Sequence, residues 1–186
     1  MSRLRFVTSN KEKFYEVKHL LSDYDIEMFN VGYPEIQASD LEDVAYYGIT
    51  YLWNNYGGDI FLEDSGLFIH KLNGFPGVFS SYVHDTIGNK GILRLLSGEK
   101  DRRAYFKSVI SYCNKKGDIK LFSGRVDGFI FHEERGKNGF GFDPIFLYNG
   151  RTFGEISLDE KNKKSHRGSA VSKFKKFLEN NFKEVL

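Results

Sequence analysis

Hydrophobic positions change their period several times along the chain, and each change marks an element. Residues 4–7 form a short apolar run that reads as a buried strand. Thr8-Ser9-Asn10 turns the chain, and a helix starts near Lys11 with Phe14, Val17, Leu20 and Leu21 as one apolar stripe. Residues 26–31 read as a second strand. Ser39-Asp40-Leu41-Glu42 has capping-box spacing ahead of Val44, Ala45, Ile49, Leu52 and Trp53. It predicts a helix over 40–56 that Gly57-Gly58 stops. Residues 60–62 form a short apolar strand that runs into Glu63-Asp64-Ser65-Gly66. A third helix is expected over 90–96, ending at Gly98. Residues 104–113 and 119–131 read as two long strands joined by a hairpin turn. After them come the glycine-rich loop 136–144, a second capping-box pattern at Ser157 and Glu160, and a last amphipathic helix carrying Val171, Phe174, Phe177 and Leu178. Helices mixed with strands, and one long hairpin, indicate an α/β protein with a mixed sheet.

Composition narrows the class. The chain has 186 residues, which suits one domain with two lobes around a cleft. Its net charge of +2 does not call for a nucleic-acid partner. The single cysteine, Cys113, excludes a disulfide framework and a multi-cysteine metal site. No apolar run approaches the roughly 20 residues that span a bilayer, so the reading is a cytoplasmic protein with no membrane partner.

Four segments have the residue types that chemistry needs. Thr8-Ser9-Asn10, followed by Lys13, places a helix N-terminus and a cation where an anion would bind. It lacks the glycines of a Walker A loop. Glu63-Asp64-Ser65-Gly66 follows a buried strand, where open α/β sheets place ligands. The two carboxylates should point in different directions, because side chains alternate along a strand. Hard oxygen donors suit Mg²⁺, and Glu35 is a third candidate. The loop from Gly136 to Pro144 carries Phe140 and Phe142, of which one is expected to stack on a nucleobase. Glu160 to Gly168 concentrates the donors Lys161, Ser165, His166 and Arg167. His19, His70, His84 and His132 are dispersed and read as structural or surface residues.

In this order, the four segments resemble the inosine triphosphate pyrophosphatase family. The matching stretches are Thr8-x-Asn10-x-x-Lys13, Pro34-Glu35-Ile36-Gln37, Glu63-Asp64-Ser65-Gly66, Gly74-Phe75-Pro76-Gly77-Val78, Phe140-Gly141-Phe142-Asp143-Pro144, and Glu160-Lys161-Asn162 with Ser165-His166-Arg167. The resemblance implies a long curved mixed sheet, two lobes around a nucleotide cleft, and a homodimer. It implies hydrolysis of ITP, dITP and XTP to monophosphate and pyrophosphate with Mg²⁺. Thr8, Ser9, Asn10 and Lys13 would hold the triphosphate. Glu35 and Asp64 would bind the metal. Asp64 would be the base, supported by Glu63, with Lys13 also catalytic, and Ser65 would bind the substrate. Phe140, with Gly141 and Phe142, would meet the nucleobase. Asp143, Lys161, His166 and Arg167 would surround base or ribose, with Glu16 lining that pocket.

Relatives often carry a phosphate-binding lysine on the second helix, which this chain lacks. Arg102 or Arg103 is a candidate replacement. A Maf-type pyrophosphatase acting on pyrimidine or modified nucleotides is the alternative enzyme, and a non-catalytic RNA-binding protein is the alternative class.

Overall fold

The computed structural model describes residues 3–182. Along the chain lie β1 (Leu4–Val7), α1 (Lys11–Leu20), β2 (Ile26–Phe29), α2 (Leu41–Tyr56), β3 (Ile60–Ile69), α3 (Ser80–Thr86), α4 (Gly88–Leu95), β4 (Arg103–Cys113), β5 (Ile119–Ile130), β6 (Phe146–Tyr148), β7 (Arg151–Thr152), α5 (Leu158–Lys164) and α6 (His166–Phe182). The strands make one mixed sheet in the order β2-β1-β3-β4-β5-β6-β7. β1 runs parallel to β2 and β3, and the remaining pairs are antiparallel. The α/β class and the mixed sheet are as the periodicity indicated.

Several boundaries differ from the sequence reading, each for a physical reason. β2 ends at Phe29 because β1, its parallel partner, ends at Val7. β3 does not stop at Leu62. It continues to Ile69 because β4 pairs with it along its whole length, from Ile60↔Cys113 to Ile69↔Ala104. Glu63 to Gly66 therefore lie inside a strand rather than after one. The cap of α2 is Asp40, which accepts from Asp43 N at 2.9 Å. The expected Ser39/Glu42 box does not form, since Glu42 instead pairs with Lys107 on β4 at 2.5 Å. Ser157 caps α5, but Glu160 turns outward to Arg151 and Lys164. The helix expected over 90–96 is α4, preceded by α3, whose short apolar pattern hid it.

Three apolar cores follow from strand alternation. On one sheet face, Phe6 and Phe61 stack at 4.6 Å and pack with Val17 of α1 and Val171, Phe174 and Leu178 of α6. On the other face, Ala45, Ile49 and Leu52 of α2 cover Val7, Ile60, Leu62 and Val109. The third core, around Leu67, Ile69, Phe106, Val126 and Phe146, shares the first face but lies farther along β3 and β4. Between the two cores of that face run buried Glu63 and Ser108 and half-buried Ser65, a polar break in an apolar surface.

Two glycines permit the close approaches around this break. A Cβ on Gly66 would collide with the carbonyl oxygen of Gly77, in the turn that follows Pro76. A Cβ on Gly124 of β5 would collide with the carbonyl oxygen of His166, where α6 begins. Gly124→Ala should therefore push back the start of α6. The expected cost is about 1–3 kcal/mol, or about 2–12 °C in melting temperature. Calorimetry checks this, and an unchanged melting temperature would contradict it.

Candidate active site

The site follows from where β1 stops. Its register with β3 ends at Val7↔Leu62. Beyond that pair, Glu63 to Gly66 have β4 on one side and the β1–α1 turn on the other. The order β2-β1-β3 also makes this the point where crossovers diverge, which is where open α/β sheets bind ligands. A cavity of about 540 Å³ opens here, lined by Thr8, Ser9, Asn10, Lys13, Glu35, Glu63, Asp64, Ser65, Phe140, Gly141, Phe142, Asp143, Lys161, His166 and Arg167. That volume is in the range of small-molecule sites.

At one end, the turn is built by local hydrogen bonds. Asn10 N donates to Thr8 Oγ1 at 3.1 Å, and Asn10 Oδ1 caps α1 by accepting from Lys13 N at 2.9 Å. Lys13 Nζ lies 3.1 Å from Glu63 Oε2 and donates to the Glu63 carbonyl, also at 3.1 Å. The cation is thus fixed beside the unpaired edge of β3.

At the other end lies a buried ionic cluster. Arg167 donates from Nε to Glu63 Oε1 at 3.2 Å, from Nη2 to Ser65 Oγ at 3.0 Å, and from Nη1 to Glu16. Lys161 joins Glu16 at 2.8 Å and Asp143 at 2.6 Å. Ser108 donates to Glu63 at 2.6 Å. Three carboxylates (Glu16, Glu63 and Asp143) face three cations (Lys13, Lys161 and Arg167), so the cluster is balanced, as buried charge must be. Burial alone would raise Glu63, but Arg167, Lys13 and the Ser108 hydroxyl hold it far below the usual carboxylate range. Glu16 behaves likewise: burial pushes it up, and Arg167 and Lys161 bring it below its ordinary value. Asp143 is raised by burial despite Lys161. His166 is held neutral by burial, then by Arg167 beside it. Its ring stacks on Phe106 at 4.6 Å, and its buried Nδ1 has no partner.

Phe140 sits half-buried, with Lys161 Nζ 4.8 Å and the Arg167 guanidinium 5.3 Å from its ring centroid. The Asp143 carboxylate accepts from Phe140 N at 2.8 Å and closes the loop.

Asp64 stands apart from the balanced cluster. It lies on the opposite sheet face from Glu63, as strand alternation requires. Burial first, and then the charges of Glu63 and Glu35, raise its pKa to about 7, against the opposing pull of Lys13 and the Tyr33 hydroxyl. Its Oδ2 is buried without a hydrogen-bond partner. Asp64 and Glu35 are thus carboxylates of the cavity that stand outside the balanced cluster, as do Glu12 and Asp85. Among the described residues no group of three or more His, Cys, Asp or Glu side chains could hold a metal. Two oxygen donors still fit Mg²⁺, which usually takes one or two carboxylates together with waters and substrate phosphates.

Four expectations need correction. Glu16 does not line the cavity: it is buried behind Lys161 and Arg167 and neutralises them. Phe142 borders the cavity, but its ring is buried in the third core, edge-on to His84 at 5.2 Å. Neither arginine proposed in place of the absent lysine reaches the site. Arg102 donates to the carbonyls of Ile130, Leu96 and Phe131, and Arg103 is tied to Asp101. His84, read as structural or surface, lines the cavity from α3 with Ser81 and Asp85.

The sequence reading also passed over Tyr33 and Ser108. Ser108 carried a signal, as a polar residue in the buried register of Phe106 and Ile110. Tyr33, in a loop, carried none.

Comparison with known proteins agrees with this geometry. A dITP/XTP pyrophosphatase of Thermococcus kodakarensis is 52% identical over 185 residues, covering 97% of this chain and 100% of the relative. One from Methanosarcina mazei is 50% identical over 176 residues, covering 94% and 96%. Among solved structures, a HAM1 protein from Coxiella burnetii superposes with a TM-score of 0.86 at 32% identity, over 97% of this chain and 100% of its own. The Ham1 protein of Staphylococcus aureus gives 0.84 at 30% identity, over 96% and 99%. Residues 4–177 match the Ham1 family, and the chain belongs to that family.

Proposed function

We propose that this protein hydrolyses non-standard purine nucleoside triphosphates (dITP, XTP and ITP) to the monophosphate and pyrophosphate, with Mg²⁺. The observation that supports this most is the pairing, in one cavity, of a charge-balanced cluster holding Lys13 and Arg167 with Asp64 and Glu35, carboxylates outside that cluster. The relatives named dITP/XTP pyrophosphatase point the same way. We read residues 1–186 as a single two-lobed domain acting on the cytoplasmic nucleotide pool.

In this reading Lys13 and the amides at the start of α1 hold the phosphates. Asp64 and Glu35 would hold Mg²⁺, which when bound would stabilise charge on the departing pyrophosphate. Asp64, with a pKa near neutrality, is suited to take a proton from the attacking water. Glu63 keeps Lys13 and Arg167 in place. Phe140 offers a face to the base. The remaining N–H groups of Arg167 and the neutral His166 offer donors to a keto oxygen at purine C6, where adenine has an amino group. A mismatch there costs about 1–3 kcal/mol, or about one to two decades of discrimination. Lys161 and Asp143 brace Arg167 and the Phe140 loop.

The balanced charge and the carboxylates outside the cluster disfavour an RNA-binding role, since they would repel a phosphate backbone. A homodimer is also proposed. Tyr46 and Tyr47 on α2 and Tyr82 on α3 are 53%, 41% and 70% exposed, and large exposed aromatics are enriched at interfaces. Light scattering should give twice the chain mass.

The reaction is tested by hydrolysing XTP in ¹⁸O-labelled water. Label in the monophosphate, with unlabelled pyrophosphate, is expected. Label in inorganic phosphate would sink the proposal. Phe140→Ala should raise KM about tenfold, in line with the worth of one stacked base, with kcat little changed. An unchanged KM would count against stacking.

A further inference from the structure

Phe140 stands between Gly139 and Gly141, whose φ angles of 71° and 62° lie in the left-handed region. Glycine enters that region without steric cost, so the local chain leaves the direction of the Phe140 ring open. The ends of the loop are held firmly. Asn138 N donates to the Gly154 carbonyl and Asn138 Nδ2 to the Ile156 carbonyl, both at 3.0 Å. Phe142 is buried in the third core. Between these anchors two side chains hydrogen-bond to the backbone. One is Asp143, which accepts from Phe140 N. The other is Asn89, whose Nδ2 donates to the Gly141 carbonyl at 3.3 Å. Asparagine favours helix caps over helix interiors, yet Asn89 sits one residue inside α4, which has no side-chain cap. Its Nδ2 donates instead to Gly141 and to Glu134 Oε2, the latter at 3.2 Å.

We propose that Asn89 is a positioning residue for base recognition: by holding the Gly141 carbonyl it fixes where the Phe140 ring stands in the cavity. This rests on the stacking role given to Phe140 above and extends it to a helix outside the motifs. A side-chain amide carries two N–H groups on one nitrogen, and here that nitrogen meets two acceptors. The Glu134 carboxylate makes its bond a charge-assisted one. Asn89 Oδ1 is buried without a partner, so the donors alone set the amide's orientation. Asn89 thus joins the Phe140 loop to α4. The neighbouring α3 presents His84 to the cavity and sets its ring edge-on to Phe142 at 5.2 Å. The base platform and this wall of the cavity are therefore one unit. A ring fixed before the nucleotide arrives avoids the ordering cost that binding would otherwise carry. The contribution of Asn89 should accordingly lie in binding rather than in the chemical step.

Asn89→Leu keeps a side chain of similar size and removes both donors. It should raise KM for XTP about fivefold, the worth of one net hydrogen bond, with kcat within about twofold. Asn89→Asp, which also lacks a donor, should raise KM at least as much. In a Phe140→Ala background Asn89→Leu should change KM by less than about twofold, because the ring that it places is gone. A residue that only supports the fold would act alike in both backgrounds. In the nucleotide-free protein the Phe140 amide should exchange hydrogen for deuterium about fivefold faster in Asn89→Leu, by the same arithmetic. Wild-type KM in both Asn89 variants would overturn the proposal, as would equal rises in the two backgrounds. If the wild type hydrolysed no triphosphate, the functional reading would fail separately. The exchange measurement would still decide this one, with faster exchange in Asn89→Leu supporting it and equal exchange overturning it.

Discussion

Asp64→Asn should lose about 10³-fold in kcat, in line with the loss of a general base, yet melt at a higher temperature than the wild type in EDTA at pH 8. The activity loss follows from removing both the base and a charged donor to the cation. The stability gain follows from linkage. In the folded protein the Asp64 pKa is raised to about 7, from an ordinary 3.8. Between those values the native state binds a proton that the unfolded chain has released, so stability falls as pH rises through this window. Above pH 7 the whole penalty applies, and asparagine removes it. A rise from 3.8 to about 7 is worth up to about 4 kcal/mol, or up to about 8–16 °C for a chain of this size, and the gain should vanish near pH 4. Thermal melts of both proteins across pH 4–8 check this. A variant that is inactive and less stable at pH 8 would show that Asp64 is a structural residue.

Arg167→Leu should be the most destabilising single change at the site. It removes the guanidinium that serves Glu16, Glu63 and Ser65 together. Breaking a buried pair from one side costs about 3–5 kcal/mol, so the melting temperature should fall by about 6–20 °C. The pH dependence carries a sign. In the wild type, Glu16 and Glu63 are depressed, so their contribution is present above the unfolded value and is lost as the pH falls through the folded values. In the variant burial dominates and raises them, so its stability falls as pH rises. The gap between the two proteins should therefore narrow from pH 8 towards pH 5. A gap that stays constant, or one below about 1 kcal/mol, would contradict the charge-balance account.

Much of this was legible in the chain, for reasons that differ by residue. The 3.6-residue stripe of Phe14, Val17 and Leu21 and the long alternation of residues 104–113 are local patterns, and local patterns specify elements. The segment Glu63 to Gly66 misled because its polar residues look like a turn. Only the register of β4, more than forty residues away, shows that it is a strand crossing a polar break between two cores. Thr8, Asn10, Lys13 and Asp64 stood out in the chain as a helix start with a cation and an acidic pair after an apolar run, and the structure brings all four to one cavity. Their neighbours did not stand out. Glu16 lies a turn beyond Lys13 on α1, and nothing local says that it faces Arg167, 151 residues on. Asn89 and Gly141 are joined only by the meeting of a helix and a loop 52 residues apart. Arg102 reads as a free cation and proves to be bound to three carbonyls.

The most direct test of the central claim is pyrophosphate release from ITP, XTP, dITP, GTP, ATP, CTP and TTP, each with Mg²⁺ and with EDTA. Mg²⁺-dependent release that is fastest for the keto purines ITP, dITP or XTP, and slower by at least about tenfold for ATP as one missing polar contact requires, is the predicted result. Fastest turnover of CTP or TTP, or equal rates in EDTA, would contradict it.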